Sequence, residues 1–177
     1  QMSIGKMRSL MVGRELQGNY YRADYDGSYD QEVVLEVNQV TSGPVLENFC
    51  MQLHKGEILG IGGLANSGMH ELGRVIFGID KPITGEVILS KNKTRVKNPL
   101  TAIRNKMGYV SKDRDKEALI INATIRENIV LSSLRKLERF LLITSGREKT
   151  ITEQQIESMS IKCNSDTQLC RELSGGN

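Results

Sequence analysis

Apolar positions along this chain change their period several times, and each change marks an element. Met7, Leu10, Met11 and Leu16 recur at helical spacing, and residues 18–30 that follow are rich in Gly, Asp, Ser and Tyr. A helical tail and then a linker are expected there. Residues 33–40 and 45–53 alternate in the manner of half-buried strands on either side of Thr41-Ser42-Gly43-Pro44, which predicts a β-hairpin. After the turn His54-Lys55-Gly56, the run Glu57-Ile58-Leu59-Gly60-Ile61-Gly62 is short and apolar, the pattern of a strand buried on both faces. From Gly68 the period becomes helical, with Leu72, Val75, Ile76 and Ile79 on one side and stop signals at Gly78 and Pro82.

The turn Lys81-Pro82-Ile83-Thr84-Gly85 leads to a strand at residues 86–89, a short helix after Pro99 and a second buried strand at residues 106–110. The remainder reads as helical. A helix over residues 122–134 takes Asn122 as its N-cap, and one over residues 150–159 takes Thr150, with Glu153 completing a capping box. No internal repeat or low-complexity tract interrupts this order.

Composition narrows the function classes. At 177 residues and 38% hydrophobic content the chain holds one core and a smaller satellite. Its 24 basic and 21 acidic side chains are interspersed, so no basic block points to nucleic acid. Cys50, Cys163 and Cys170 form no CxxC pair, which argues against zinc, against a disulfide framework and for a reducing compartment. The apolar runs at residues 58–65 and 118–121 are far shorter than a membrane span of about 20 residues. A cytosolic chain that meets a membrane only through a partner is expected.

The stretch Gly63, Leu64, Ala65, Asn66, Ser67, Gly68, Met69, His70 carries the chemistry. Its glycine spacing is that of a phosphate-binding loop, in which backbone N–H groups wrap the phosphates, a Lys neutralises the β/γ oxygens and a Ser or Thr hydroxyl holds Mg²⁺. Met69 and His70 stand where that Lys and hydroxyl belong, so the cradle is retained and the hydrolytic chemistry is not. Two other readings stand beside it. Glycines after a strand serve tight turns without any ligand, as in a structural or regulatory module. Gly60-Ile61-Gly62-Gly63-Leu64-Ala65 also fits the GxGxxA dinucleotide pattern, with Asp80 about twenty residues on, as in an NAD-binding Rossmann-type oxidoreductase fragment. In that fold the acid caps a second parallel strand, whereas Asp80 directly follows a helical stretch.

The chain closes with Leu173, Ser174, Gly175, Gly176, Asn177. Together with residues 63–70 this resembles the signature sequence of ABC-transporter ATPases. The segments Lys55-Gly56-Glu57-Ile58-Leu59-Gly60, Phe77-Gly78-Ile79-Asp80-Lys81-Pro82-Ile83-Thr84-Gly85-Glu86-Val87, Met107-Gly108-Tyr109-Val110-Ser111-Lys112-Asp113-Arg114 and Thr124-Ile125-Arg126-Glu127-Asn128-Ile129 look like the second ATP-binding half of bacterial ribose- and galactose-type importers. Met11-Val12-Gly13-Arg14-Glu15-Leu16 looks like the end of a first half.

The resemblance implies an α/β P-loop NTPase fold of the ABC-ATPase type, incomplete here. Residues 1–30 would be the tail of a preceding half and a linker. Residues 31–177 would be the domain, with a β lobe, an antiparallel β subdomain and part of a parallel core at 31–110 and a helical lobe at 111–177. It further implies ATP as cofactor, bound weakly or not at all by this chain, with Mg²⁺ only in the full assembly. No metal-ligating or catalytic residue is assigned to this chain. The family's second half has Arg and Thr at the positions of Met69 and His70, and Lys112 stands where active halves carry a metal- and water-sensing Gln or Glu. Loss of a charge-assisted phosphate contact removes about 1.5–3 kcal/mol. No aromatic ring for stacking adenine stands at residues 41–45. By the same resemblance, Ser174, Gly175 and Gly176 would complete the other half's ATP site in trans, and Ser111, Lys112, Asp113 and Arg114 would lie in the loop that receives a sugar permease's transmembrane subunits at the inner face of the membrane. The family's domain continues beyond the signature into a helix, a strand ending in Asp-Glu and a switch His. Without that strand, residues 57–62 would offer an open sheet edge for self-association, and the signature end would be mobile.

Overall fold

The computed structural model describes residues 27–64, 66–134 and 144–174. The helical tail and most of the linker expected before residue 27 lie outside the described residues. The chain divides into two compact units, residues 1–109 and residues 110–177.

The first unit is built on a four-stranded antiparallel sheet of order β2-β1-β3-β4, with β1 at Val33–Ser42, β2 at Leu46–His54, β3 at Thr84–Leu89 and β4 at Thr94–Arg95. The expected hairpin is β1–β2. The two-residue β4 carries no periodic signal and was not foreseen. In β1 the buried positions are Leu35, Val37 and Val40, so the alternation slips by one residue after Val37. A bulge takes up the slip, since both ladders of β1 shift register beyond Val37 or Asn38, and Gln39 adopts a left-handed φ of 48°. Val40 is thereby returned to the core face. Opposite the bulge, Gly85 has φ 79°, and a Cβ there would overlap the carbonyl oxygens of Asn38 and Gln39. Only glycine fits that close approach.

Helix α1 (Met69–Phe77) lays Leu72 and Val75 on the buried face of this sheet, in one cluster with Leu35, Val37, Val40, Leu46, Val87, Val96 and Ala102. It ends in a Schellman motif: Ile79 N–H donates to Arg74 O at 2.9 Å and Gly78 N–H to Val75 O at 3.0 Å, with Gly78 at φ 79°. The closing turn is braced by Arg74 and Asp80, whose carboxylate accepts from Arg74 Nε at 2.7 Å and from Nη2 at 3.0 Å. That guanidinium, chiefly through its hydrogen bonds, holds the Asp80 carboxyl below the usual carboxylate range. Helix α2 (Pro99–Arg104) starts where Pro99 predicts, with Asn98 Oδ1 accepting from Thr101 N–H at 2.9 Å.

Two expected strands are not formed. Residues 57–62 and 106–110 belong to no strand, and Ile58 is 59% and Val110 94% exposed. An apolar run becomes a buried strand only when neighbours hydrogen-bond both its edges, and among the described residues no parallel ladder supplies them. The parallel part of the core, and the open edge expected at residues 57–62, are therefore absent from the described residues.

In the second unit, α3 (Ile125–Leu131) packs on α4 (Ser145–Ser158), burying Ile125, Val130 and Thr152. Both expected caps are corrected. α3 is capped by Thr124, not Asn122: Glu127 N–H donates to Thr124 Oγ1 at 3.2 Å, and Thr124 N–H donates to Glu127 Oε2 at 2.7 Å. α4 begins five residues before Thr150, which lies inside the helix and donates its hydroxyl to Gly146 O at 3.0 Å. Its polar first turn gave no apolar signal, and the Thr150–Glu153 spacing recurs by chance within the helix.

Two outcomes follow from the first unit. Gly85→Ala combines a left-handed Ala with backbone overlap and is expected to cost about 2–4 kcal/mol in urea unfolding; a loss below about 1 kcal/mol would show that the bulge yields easily. Because the Asp80 carboxyl titrates lower in the folded than in the unfolded chain, its ion pair contributes above the ordinary carboxylate pKa and is lost as pH falls through the folded value. Asp80→Asn is therefore expected to be less stable than the parent chain at pH 7 and to converge with it at strongly acidic pH.

Candidate functional site

The glycine loop is positioned at both ends by the sheet. At its entry, the turn after β2 is locked by Glu57, whose carboxylate accepts from His54 N–H at 2.8 Å and approaches His54 Nδ1 at 3.0 Å. These contacts, the main-chain bond first, hold the Glu57 carboxyl below its usual range. At its exit, Gly68 is the N-cap of α1 at φ 91°, a left-handed conformation, and a Cβ there would lie 3.1 Å from Val45 O. Glycine lets the first turn of α1 sit against the end of the β1–β2 connection. Leu72 and Val75 then fix the helix behind it.

Between these anchors the chain turns tightly. Ser67 N–H donates to Leu64 O at 3.1 Å, and Asn66 is left-handed at φ 65°. Gly63 lies so close to Ser67 that a Cβ would overlap Ser67 Oγ. Leu64, Asn66, Ser67 and His70 are exposed, Met69 is half-buried and Gly68 buried; Ala65 lies outside the described residues. No side chain caps α1, so its first-turn N–H groups, which have no intrahelical acceptor, point out of the loop end with the positive end of the helix dipole. Such an arrangement offers a polyanion main-chain donors. Met69 brings no charge to it, and His70 brings no hydroxyl. The first-turn Glu71 adds a negative charge instead.

Asp80, the acid that a dinucleotide site would need, is engaged at the opposite end of α1 by Arg74. No second parallel strand for it to cap exists among the described residues.

In the second unit, the four residues Ser111, Lys112, Asp113 and Arg114 lead into a π-helical turn, Arg114–Ala118. Asp113 caps this turn, accepting from Lys116 N–H at 3.3 Å and pairing with Lys116 Nζ at 3.2 Å, and its carboxyl is held low by that lysine. Ser111 Oγ donates to Asp113 O at 3.3 Å, and Lys112 is exposed. The structure gathers these four residues into one turn. Of the closing motif, Leu173 and Ser174 are described: Leu173 N–H donates to Cys170 O at 3.1 Å. Gly175, Gly176 and Asn177 lie outside the described residues.

Sequence reasoning did not find what holds Leu173 in place. Residues 165–173 form a strap on residues 120–128, through an antiparallel bridge between Thr124 and Leu169 and an ion pair between Arg126 Nε and Asp166 Oδ2 at 2.7 Å. The Asn128 side chain joins them. Its partner Cys170 is 42 residues away in the chain, so no local pattern marks it. Cys50, Cys163 and Cys170 are free thiols. Among the described residues no helix is long and apolar enough to cross a membrane, and no cluster of His, Cys, Asp and Glu is arranged for a metal.

Comparison with known proteins places this geometry in a family. The ABC transporter domain model matches residues 46–177. The ribose import ATP-binding protein of Bacillus cereus is 30% identical over the whole of this chain, which spans 35% of that protein. The corresponding protein of Caldanaerobacter subterraneus is 34% identical over 95% of this chain and 34% of its own length, and one from Rubrobacter xylanophilus is 35% identical over the whole chain and 35% of its own length. The chain thus covers about a third of the relatives it matches. Among solved structures, a dimeric ATP-binding cassette in a post-hydrolysis state, bound to ADP and Pi, superposes with a TM-score of 0.63 at 25% identity, over 80% of this chain and 64% of that one. A nucleotide-free cassette gives a TM-score of 0.57 at 22% identity, over 81% of this chain and 60% of its own. A glycine turn running into α1, an antiparallel sheet beside it and a helical unit that carries Leu173 and Ser174 are features of one architecture, and the chain belongs to the ABC transporter family of ATP-binding domains.

Proposed function

We propose that this chain is the second ATP-binding half of a monosaccharide-import ATPase, with a phosphate loop that binds nucleotide weakly or not at all. The observation that carries the reading is the start of α1: a left-handed Gly68, uncapped helix amides and an exposed turn stand ready for phosphate, while Met69 and His70 occupy the two positions where charge and hydroxyl are needed. The residues present fit the phosphate part of a nucleotide and not its metal. A metal held with the nucleotide would neutralise charge on its phosphate oxygens; here His70 stands at the position of the hydroxyl that would hold it. Catalysis is accordingly assigned to the other half of the same polypeptide.

On this reading residues 63–70 remain the degenerate loop, and Leu173, Ser174, Gly175, Gly176 and Asn177 serve a partner half's site, supplying a hydroxyl and main-chain donors to the γ-phosphate in trans. Residues 1–30 are the tail of a preceding half and a linker, 31–110 the β lobe and loop, and 111–177 the helical lobe. Ser111, Lys112, Asp113 and Arg114 form the surface that meets the permease subunits, which puts the protein at the inner face of the cell membrane. Support for sugar import comes from the ribose import relatives. The dinucleotide reading gains no such support, since Asp80 is engaged by Arg74.

Restoring the missing groups tests the proposal. Met69→Lys with His70→Thr is expected to tighten binding of a non-hydrolysable ATP analogue by at least about tenfold, measured by calorimetry, and to make it Mg²⁺-dependent. Tight Mg²⁺-dependent binding by the parent chain would overturn the reading, as would NAD binding lost in Gly62→Val.

A further inference from the structure

We propose that Asn128 is a positioning residue that joins the surface loop 120–124 to the strap 165–173, so that both move as one body and the loop sets where Ser174 lies. The amide of Asn128 holds the loop through both of its polar atoms and reaches the strap through Nδ2, and beside it Arg171 Nη1 donates to Asn122 Oδ1 at 3.4 Å. Asn128 Oδ1 accepts from Ile120 N–H at 2.9 Å, and its Nδ2 lies 3.1 Å from Ile120 O, 3.0 Å from Thr124 O and 3.2 Å from Cys170 Sγ. One planar amide thus reads a donor and an acceptor on the same residue, which a carboxylate cannot reproduce.

Main-chain bonds carry the connection onward. Cys170 N–H donates to Ala123 O at 3.0 Å, Arg171 N–H to Ile121 O at 3.0 Å, Ile125 N–H to Gln168 O at 3.0 Å and Arg126 N–H to Asp166 O at 2.9 Å. The half-buried pair Arg126–Asp166 pins the far end of the strap. From Cys170 the chain reaches Leu173 through a 3₁₀ turn, Cys170–Glu172, closed by Leu173 N–H donating to Cys170 O at 3.1 Å. Ser174 is the next residue. A rigid connection requires that the strap not peel away, and Asn128 guards the loop side of that seam. Its own backbone is held in α3, capped by the reciprocal Thr124–Glu127 bonds.

The functional consequence rests on the reading proposed above, in which residues 111–114, which precede the loop in the chain, face a permease and Ser174 a partner's nucleotide; the physical connection does not. The two are tested separately. In native-state hydrogen exchange of the chain, without nucleotide, the amides of Ile120, Cys170 and Arg171 are expected to share one opening equilibrium. Asn128→Asp keeps shape and acceptor but removes both donors, and is expected to raise exchange of all three about tenfold to a hundredfold, leaving Val37 in the first unit unchanged. Faster exchange at Ile120 alone, or three unrelated openings in the parent chain, would overturn the proposal. Should Asn128→Asp not fold, Asp166→Asn serves the same measurement from the strap's other end, with Cys170 and Arg171 again expected to exchange together. In the full-length ATPase assembled with its permease, Asn128→Asp is expected to lower permease-stimulated turnover several-fold at unchanged KM for ATP. A raised KM with unchanged turnover would place Asn128 in nucleotide binding and contradict its positioning role. If the parent assembly shows no stimulated hydrolysis at all, the proposed function fails while the exchange result still decides the connection.

Discussion

The first unit depends on how α1 is seated on β1. Leu72 and Val75 are fully enclosed against Val37 and Val40, and each such side chain contributes roughly 1.5–3 kcal/mol on burial. That contact fixes the axis of a nine-residue helix and therefore the place where its free amides emerge. The seat exists only because the bulge at Gln39 brings Val40 back to the inner face, and the bulge in turn needs Gly85 without a side chain. The position of the loop is thus tied to a backbone irregularity in an interior strand of the sheet.

Glycines at the two ends of α1 do different work. Gly68 lets the helix start against Val45, while Gly78 lets it stop against the backbone of Asn98, whose atoms lie 2.8–2.9 Å from where a Cβ would stand. The separation of scaffold from chemistry is visible in these residues. The glycines that shape the turn are present, and Met69 and His70 carry neither an ammonium nor a hydroxyl. Main-chain donors come with the fold, whereas a Lys and a hydroxyl are single positions that can be lost without disturbing it.

Much of the first unit was legible. Partial alternation on either side of a Gly-Pro turn gave the hairpin, and apolar residues at helical offsets bounded by Gly68 and Gly78 gave α1 almost to the residue. Pro99 gave α2. What sequence reading could not supply was the neighbourhood: residues 57–62 and 106–110 look like buried strands, but a strand is made by its partners, and the described residues contain no parallel ladder for them. The bulge was visible only as an imperfect alternation at Val40. In the second unit, Thr124 was missed as a cap although Glu127 stands three residues on, because Asn122 is an equally good residue in isolation. For the loop itself, the glycine spacing and the two substitutions were readable directly, whereas the Asn128 seam joins segments too far apart in the chain for any local pattern.

The central claim is that the turn from Gly63 to His70 keeps a main-chain anion cradle that has lost its metal chemistry. Amide chemical shifts followed during titration with a non-hydrolysable ATP analogue, with and without Mg²⁺, test it most directly. The account predicts weak, saturable shifts centred on the amides of Gly63, Ser67, Gly68 and Met69, unchanged by Mg²⁺. Tight binding that requires Mg²⁺, or shifts that leave those four amides untouched, would contradict it.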